Sequence, residues 1–148
     1  MTRIYLDNSV TNRPFDDQSQ ERIRLETEAI ILLLSRLERQ EWTWLGSQAL
    51  EIEIDKTPDT EQQSRLRRVV EFTDSTVEIG KRELERANEL QKLGFVGFDA
   101  VHLACGESGK ADVFLTTDDR LLKLAKRLAK KLHVKVENPL DWMKEMIL

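Results

Sequence analysis

Apolar and polar positions follow one another in short blocks along this chain. Residues 3 to 6, RIYL, form an apolar run that stops at Asp7, the pattern of a buried strand. The NSVTNRPFDD that follows has the Asn, Pro and Asp content of a loop. From about Gln18 to Arg39, the residues Ile23, Ile30, Ile31, Leu34 and Leu37 recur at helical spacing, which predicts one long amphipathic helix or two joined ones. Trp42, Trp44 and Leu45 precede Gly46 and Ser47, so a second short strand is expected to run into a helix capped by Ser47 that includes Leu50 to Ile54. The TPD at 57 to 59 breaks that helix, and Pro58 suits the first turn of the next, expected to reach about Phe72. A weak strand near TVEI, 76 to 79, precedes a helix over roughly Gly80 to Leu93 that Gly94 ends. GFVGFD then turns into a helix carrying Asp99, Val101, His102, Leu103 and Cys105, closed by ESGKA. The strand DVFLT, a helix from Asp119 to Leu132, a strand at VKV and a last helix from Pro139 complete the pattern.

Strands alternating with helices predict an α/β protein with a parallel sheet covered on both faces and right-handed crossovers. No internal repeat, low-complexity tract or long linker divides the 148 residues, so one domain over 1–148 is expected. In such sheets ligands collect beyond the carboxyl ends of the strands, near a switch in strand order. Asp7 and Asp118 both stand at such ends.

Composition narrows the picture. Apolar residues are 40% and charged residues 34% of the chain, the balance of a globular protein with solvated helices. The N-terminal apolar stretch is too short for a signal peptide and no run reaches membrane-spanning length, so a cytoplasmic location is expected. The formal charge of −4 argues against a protein that coats nucleic acid through its overall field. The charge is segregated, however: Arg120, Lys123, Lys126, Arg127, Lys130, Lys131 and Lys135 run without an intervening carboxylate. Cys105 is the one cysteine, in the apolar setting DAVHLACG, and reads as a buried thiol rather than a nucleophile.

There is no GxGxxG and no GxxxxGK[ST], which removes the phosphate-binding loops of nucleotide enzymes. What remains is a set of carboxylates at element ends: Asp7, one of Glu51 or Glu53, Asp99, and Asp118 or Asp119. Four like charges can share a site only with a cation between them, and hard divalent ions such as Mg²⁺ or Mn²⁺ prefer such oxygen ligands. Ions so held acidify and orient water and stabilise the oxygens of a phosphodiester displacement. On the predicted helix, Ala49, Leu50 and Ile54 define an apolar stripe, and Glu53 lies about 40° from its centre, with Glu51 roughly three times farther round. Glu53 is therefore the better inward ligand. Each of these aspartates also has a structural reading, since Asp7, Asp99 and Asp118 can serve as turn or helix caps and Asp119 as an N-terminal helix charge complementing the dipole. Their joint placement is what favours chemistry.

Those segments resemble the PIN-domain family of metal-dependent nucleases over essentially the whole chain. "IYLDNSVTNRPFDD" looks like the family's opening motif with Asp7, "GSQALEIEI" like the second with Glu53, "GFDAVHLA" like the third with Asp99, and "FLTTDDRLL" like the fourth with Asp118. The resemblance implies a three-layer, Rossmann-like α/β/α sandwich with a central, mostly parallel sheet. It also implies Mg²⁺- or Mn²⁺-dependent cleavage of single-stranded RNA, with Asp7, Glu53, Asp99 and Asp118 as catalytic metal ligands. Many small members are toxins that form homodimers and are silenced by an antitoxin protein partner. The opening motif departs from many relatives in having Asn8, then Ser9, after the aspartate, and Asn8 takes the expected role of orienting a ligand or water.

Around these acids, Arg13, Arg120 and Lys123 are placed to neutralise phosphates, which gives affinity with little sequence preference. Thr117, with Thr116, can position water beside Asp118. His102, one helical turn after Asp99, reads first as a packed, satisfied histidine. Trp42, Trp44 and Trp142 read as core residues rather than base-stacking platforms. Two function classes stand side by side: a metal-dependent endoribonuclease, and a catalytically weak PIN-like module that binds RNA or a protein. Aspartyl-phosphate chemistry is disfavoured because Asp7-Asn8-Ser9 lacks a second acid two residues on.

Overall fold

Strand β1 (Arg3–Leu6) takes the centre of a five-stranded sheet in the computed structural model, which describes residues 1–147. It is flanked by β2 (Thr43–Ser47) and β4 (Val113–Leu115), with β3 (Ser75–Val77) and β5 (Lys135–Glu137) at the edges, giving the order β3-β2-β1-β4-β5. Every pairing is parallel. The expected three-layer α/β/α sandwich follows from the strands' alternation. Ile4 and Leu6 of β1, with Val113 and Leu115 of β4, face one cluster containing Ile30, Leu33, Leu37 and Trp142. Tyr5 and Phe114 face the other, with Ala87, Leu90 and Leu103. Side chains of period two on a sheet apolar on both faces require helices on both sides.

Helices α2 (Glu21–Glu38) and α8 (Pro139–Ile147) cover the first face; α5 (Lys81–Leu93), α6 (Phe98–Ser108) and α7 (Asp119–Arg127) cover the second. Helices α3 (Gln48–Asp55) and α4 (Thr60–Val70) pack through Leu50, Ile54 and Leu66. Trp42 and Trp142 meet edge to face with centroids 4.9 Å apart, and Trp44 is buried, so all three tryptophans belong to the core. Cys105 is fully buried, and burial pushes its thiol up to about 12, leaving no thiolate for chemistry.

Three local expectations are corrected. The NSVTNRPFDD segment is not an open loop: it forms α1 (Asn8–Asn12) and a 3-10 turn over Arg13–Phe15, because Asp7 caps the first and Pro14 fits the first turn of the second. In α2 the inward stripe is Glu26, Ala29, Ile30, Leu33 and Leu37, while Ile31 is exposed. The helix expected to reach Leu132 ends at Arg127 and tightens into a 3-10 turn, Ala129–Lys131.

The chain leaves β1 toward β2 on one side and reaches β4 on the other, so the switch in strand order falls at the carboxyl ends of β1 and β4. The backbone N–H of Asp7 donates to the Leu115 carbonyl at 3.1 Å, holding those two ends together. Gly94 and Gly97, both at positive φ (118° and 52°), turn the chain from α5 into α6 and set Asp99 in the first turn of α6.

Candidate active site

Asp7, Glu53, Asp99 and Asp118 line one cleft of 430 Å³ at that switch, together with Asn8, Ser9, Asn12, Arg13, Asp16, His102 and Thr117. Four sequence segments therefore converge. Asp7 leaves β1 as the N-cap of α1, accepting the Ser9 N–H at 2.5 Å. Asp118 leaves β4 as the N-cap of α7, accepting the N–H groups of Arg120 and Leu121. Glu53 comes from α3, whose inward residues Ala49, Leu50 and Ile54 are the predicted stripe. Asp99 is not the cap of its helix, a position held by Gly97.

The alternative carboxylates go elsewhere. Glu51 is exposed. Asp119 is half exposed and pairs with Arg22. Ser9 knits the floor of the cleft, its Oγ accepting the Thr117 N–H at 3.0 Å and lying 3.2 Å from Thr116 Oγ1, which in turn accepts the Asp118 N–H.

The electrostatics show the strain of gathering like charges. Asp7 is 6% exposed, and burial raises its carboxyl above the usual carboxylate range despite hydrogen bonds from Ser9 and Thr116. Asp99 is pushed up to about 6, first by burial and then by repulsion from Asp7 and Asp118.

Among the expected phosphate contacts, Asn8 and Arg13 line the cleft, and Arg120 lines an adjoining hollow shared by Asp99 and Asp118. Arg13 is engaged already, donating to Glu26 at 2.7 and 2.9 Å and to Asp16 at 3.1 Å. Lys123 is exposed on α7 and does not line the cleft. The basic run from Arg120 to Lys135 is exposed at all seven of its lysines and arginines, a solvated face. His102 is 2% exposed and tied at both ring nitrogens, as a satisfied histidine should be. The sequence signals left unread were Glu26, whose burial places a carboxylate behind Arg13, and the pair Tyr5 and Ser47, which reach His102.

A larger open groove of 1110 Å³ runs along edge strand β5. Its charges are mixed, with Lys135 bridging Glu137 and Glu145, so nothing there concentrates one kind of ligand. The acidic cleft is the one of the two that gathers mainly a single kind of charge. An all-oxygen donor set under mutual repulsion fits a hard divalent cation, and the buried Asn8 Oδ1, which has no hydrogen-bond partner, adds a further acceptor. Among the described residues, no group of three or more His, Cys, Asp or Glu side chains is placed, as the side chains stand, to hold a metal ion.

Solved structures share this architecture. A chain of VapBC2 from Rickettsia felis, bound to a DNA fragment from their promoter, superposes with a TM-score of 0.60 at 13% identity, over 93% of this chain and 98% of that one. FitAcB from Neisseria gonorrhoeae gives a TM-score of 0.61 at 14% identity, over 92% and 97%. FitAB bound to an IR36 DNA fragment gives 0.59 at 14%, over 93% and 95%. The fold is PIN-like. No family model and no curated protein matches the sequence. The PIN-like likeness is thus one of backbone path, held at identities where side chains have largely diverged. No helix among the described residues is long and apolar enough to cross a membrane.

Proposed function

We propose that this chain is a metal-dependent endoribonuclease that hydrolyses phosphodiester bonds of single-stranded RNA, and that it is the toxin of a toxin–antitoxin pair. The observation that carries the first part is the convergence of Asp7, Glu53, Asp99 and Asp118 on one cleft at the switch point of the sheet. These four side chains would hold Mg²⁺ or Mn²⁺, which supplies Lewis-acid activation of water and neutralises charge on the phosphodiester. The protein's own groups do the rest. Asp7 and Asp118 are fixed by the caps they make, Ser9 and Thr116 link the two strand ends that carry them, and Asn8 offers its unpartnered oxygen to water or substrate. Arg120 stands at the edge where an RNA phosphate would enter.

The second part is supported by the likeness to VapBC2, FitAcB and FitAB, two-component assemblies whose counterpart here would be an antitoxin protein. A homodimer belongs to the same proposal. The test is cleavage of single-stranded RNA that requires added Mg²⁺ or Mn²⁺ and disappears in Asp7→Asn and Asp99→Asn. Equal cutting by both variants and the parent would assign the activity to a contaminant.

One observation favours a second reading, a PIN-like module that binds RNA or protein without cutting. Asp7 and Asp118 already accept cap hydrogen bonds and Glu53 accepts one from His102, so three of the four carboxylates have an oxygen engaged. RNA binding without any heat of Mn²⁺ binding in calorimetry would select it.

A further inference from the structure

Behind Glu53 runs a buried line of hydrogen bonds that the proposed chemistry does not itself use. His102 Nε2 contacts Glu53 Oε1, His102 Nδ1 lies 2.5 Å from the Tyr5 hydroxyl, and that hydroxyl lies 2.6 Å from Ser47 Oγ. Ser47 Oγ also accepts the Leu50 N–H at 3.1 Å. Tyr5, Ser47 and His102 are all at most 2% exposed, so water does not compete for these protons. The Tyr5 ring is stacked on Phe114 at 5.1 Å and meets His102 edge-on at 5.7 Å, which fixes its rotamer.

The proton directions follow from the donors and acceptors available. An ionised carboxylate only accepts, so the hydrogen at this contact is on His102 Nε2. In the neutral ring Nδ1 is then an acceptor, and the Tyr5 O–H must donate to it. Tyr5 Oη accepts from the Ser47 hydroxyl, and Ser47 Oγ accepts from Leu50. With the ring neutral, every polar group in the line is satisfied in this sense.

We propose that Tyr5, backed by Ser47, is a positioning residue that holds Glu53 for metal through the tautomer of His102, an inference that rests on the nuclease reading above. One Glu53 oxygen is held by the ring, and the other is left to the cleft. The line also joins the carriers of three carboxylates. Tyr5 is on β1 two residues before Asp7, Ser47 caps the helix that bears Glu53, and His102 is one turn after Asp99 on α6. Removing the phenolic hydroxyl leaves Nδ1 with no donor, releases the ring to carry its hydrogen on Nδ1, and turns a lone pair toward Glu53. Partners of this kind behind metal ligands are typically worth about 10–100-fold in metal affinity.

The experiment uses the full chain and reads two quantities. Long-range ¹⁵N–¹H spectra of the metal-free parent should show His102 as the Nε2–H tautomer, and Tyr5→Phe should shift it toward Nδ1–H. Calorimetry should show Mn²⁺ binding weakened about 10–100-fold in Tyr5→Phe. In a His102→Gln background the carboxamide N–H donates to Glu53 without needing Tyr5, so adding Tyr5→Phe should change Mn²⁺ affinity by less than about twofold. An Nδ1–H tautomer in the parent, unchanged affinity in Tyr5→Phe, or an equal loss in both backgrounds would overturn the assignment. Should His102→Gln not fold, the first two readouts still decide. A parent that binds no Mn²⁺ overturns the nuclease reading and the metal role of Glu53 with it, while the tautomer pair separately decides whether Tyr5 controls His102.

Discussion

Arg22 on α2 grips both oxygens of Asp119, at 2.7 and 2.8 Å, while the adjacent Asp118 lines the acidic cleft. Two neighbouring aspartates thus have separate work: one ties α2 to the start of α7, the other belongs to the site. Asp119→Asn should leave divalent-dependent cleavage within about twofold of the parent and cost less than about 1 kcal/mol, because the pair is half exposed. Asp118→Asn should abolish cleavage. Parallel rate and urea-denaturation measurements check both, and loss of activity in Asp119→Asn alone would reverse the assignment.

Glu26 is 1% exposed inside α2 and is compensated by Arg13, Arg22 and Asn138. A carboxylate so enclosed is tolerable only because its partners are in place. Glu26→Ala leaves the Arg13 guanidinium, 17% exposed, without its main partner, and should cost about 3 kcal/mol in urea unfolding. Arg13 also lines the cleft, so the same variant should weaken RNA binding by disordering the turn at 13–15, a change visible in a filter-binding assay.

Burial raises the carboxyl of Asp7, and burial with repulsion from Asp7 and Asp118 raises that of Asp99 to about 6. A carboxyl raised in the folded state contributes stability that is fully present below its unfolded value, about 4, and is lost as pH rises through about 6. The metal-free protein should therefore lose stability between about pH 4 and pH 6. Asp99→Asn should raise its Tm by a few degrees at about pH 7 and leave it nearly unchanged at about pH 4. Because Mn²⁺ must displace the Asp99 proton, the stabilisation it confers should grow across the same interval. Thermal scans with and without Mn²⁺ measure both slopes, and a metal-free Tm that climbs through this window contradicts the electrostatic account.

The parts legible in the sequence were those written in local pattern. The RIYL run ended at Asp7, the 3.6-residue stripe of α3 distinguished Glu53 from Glu51, and Gly94 stopped α5. The TTDDR segment gave a strand end followed by a helix start without saying which aspartate would face inward, and that was decided by Arg22, 97 residues away. Helix α1 leaves no helical signature in the pattern, because its five residues carry no periodicity and owe their form to the Asp7 cap. The Glu26–Asn138 bond and the Tyr5–His102–Glu53 line escape for a shared reason. Hydrogen bonds between residues 42 to 112 positions apart leave no mark on composition or spacing.

A crystal soaked in Mn²⁺ tests most directly, through anomalous scattering, whether one divalent ion site unites the four carboxylates. A peak is expected within coordination distance of Asp7, Asp99 and Asp118, with Glu53 beside it or one water away. A peak elsewhere on the molecule, or none at the cleft at millimolar Mn²⁺, would contradict a shared site.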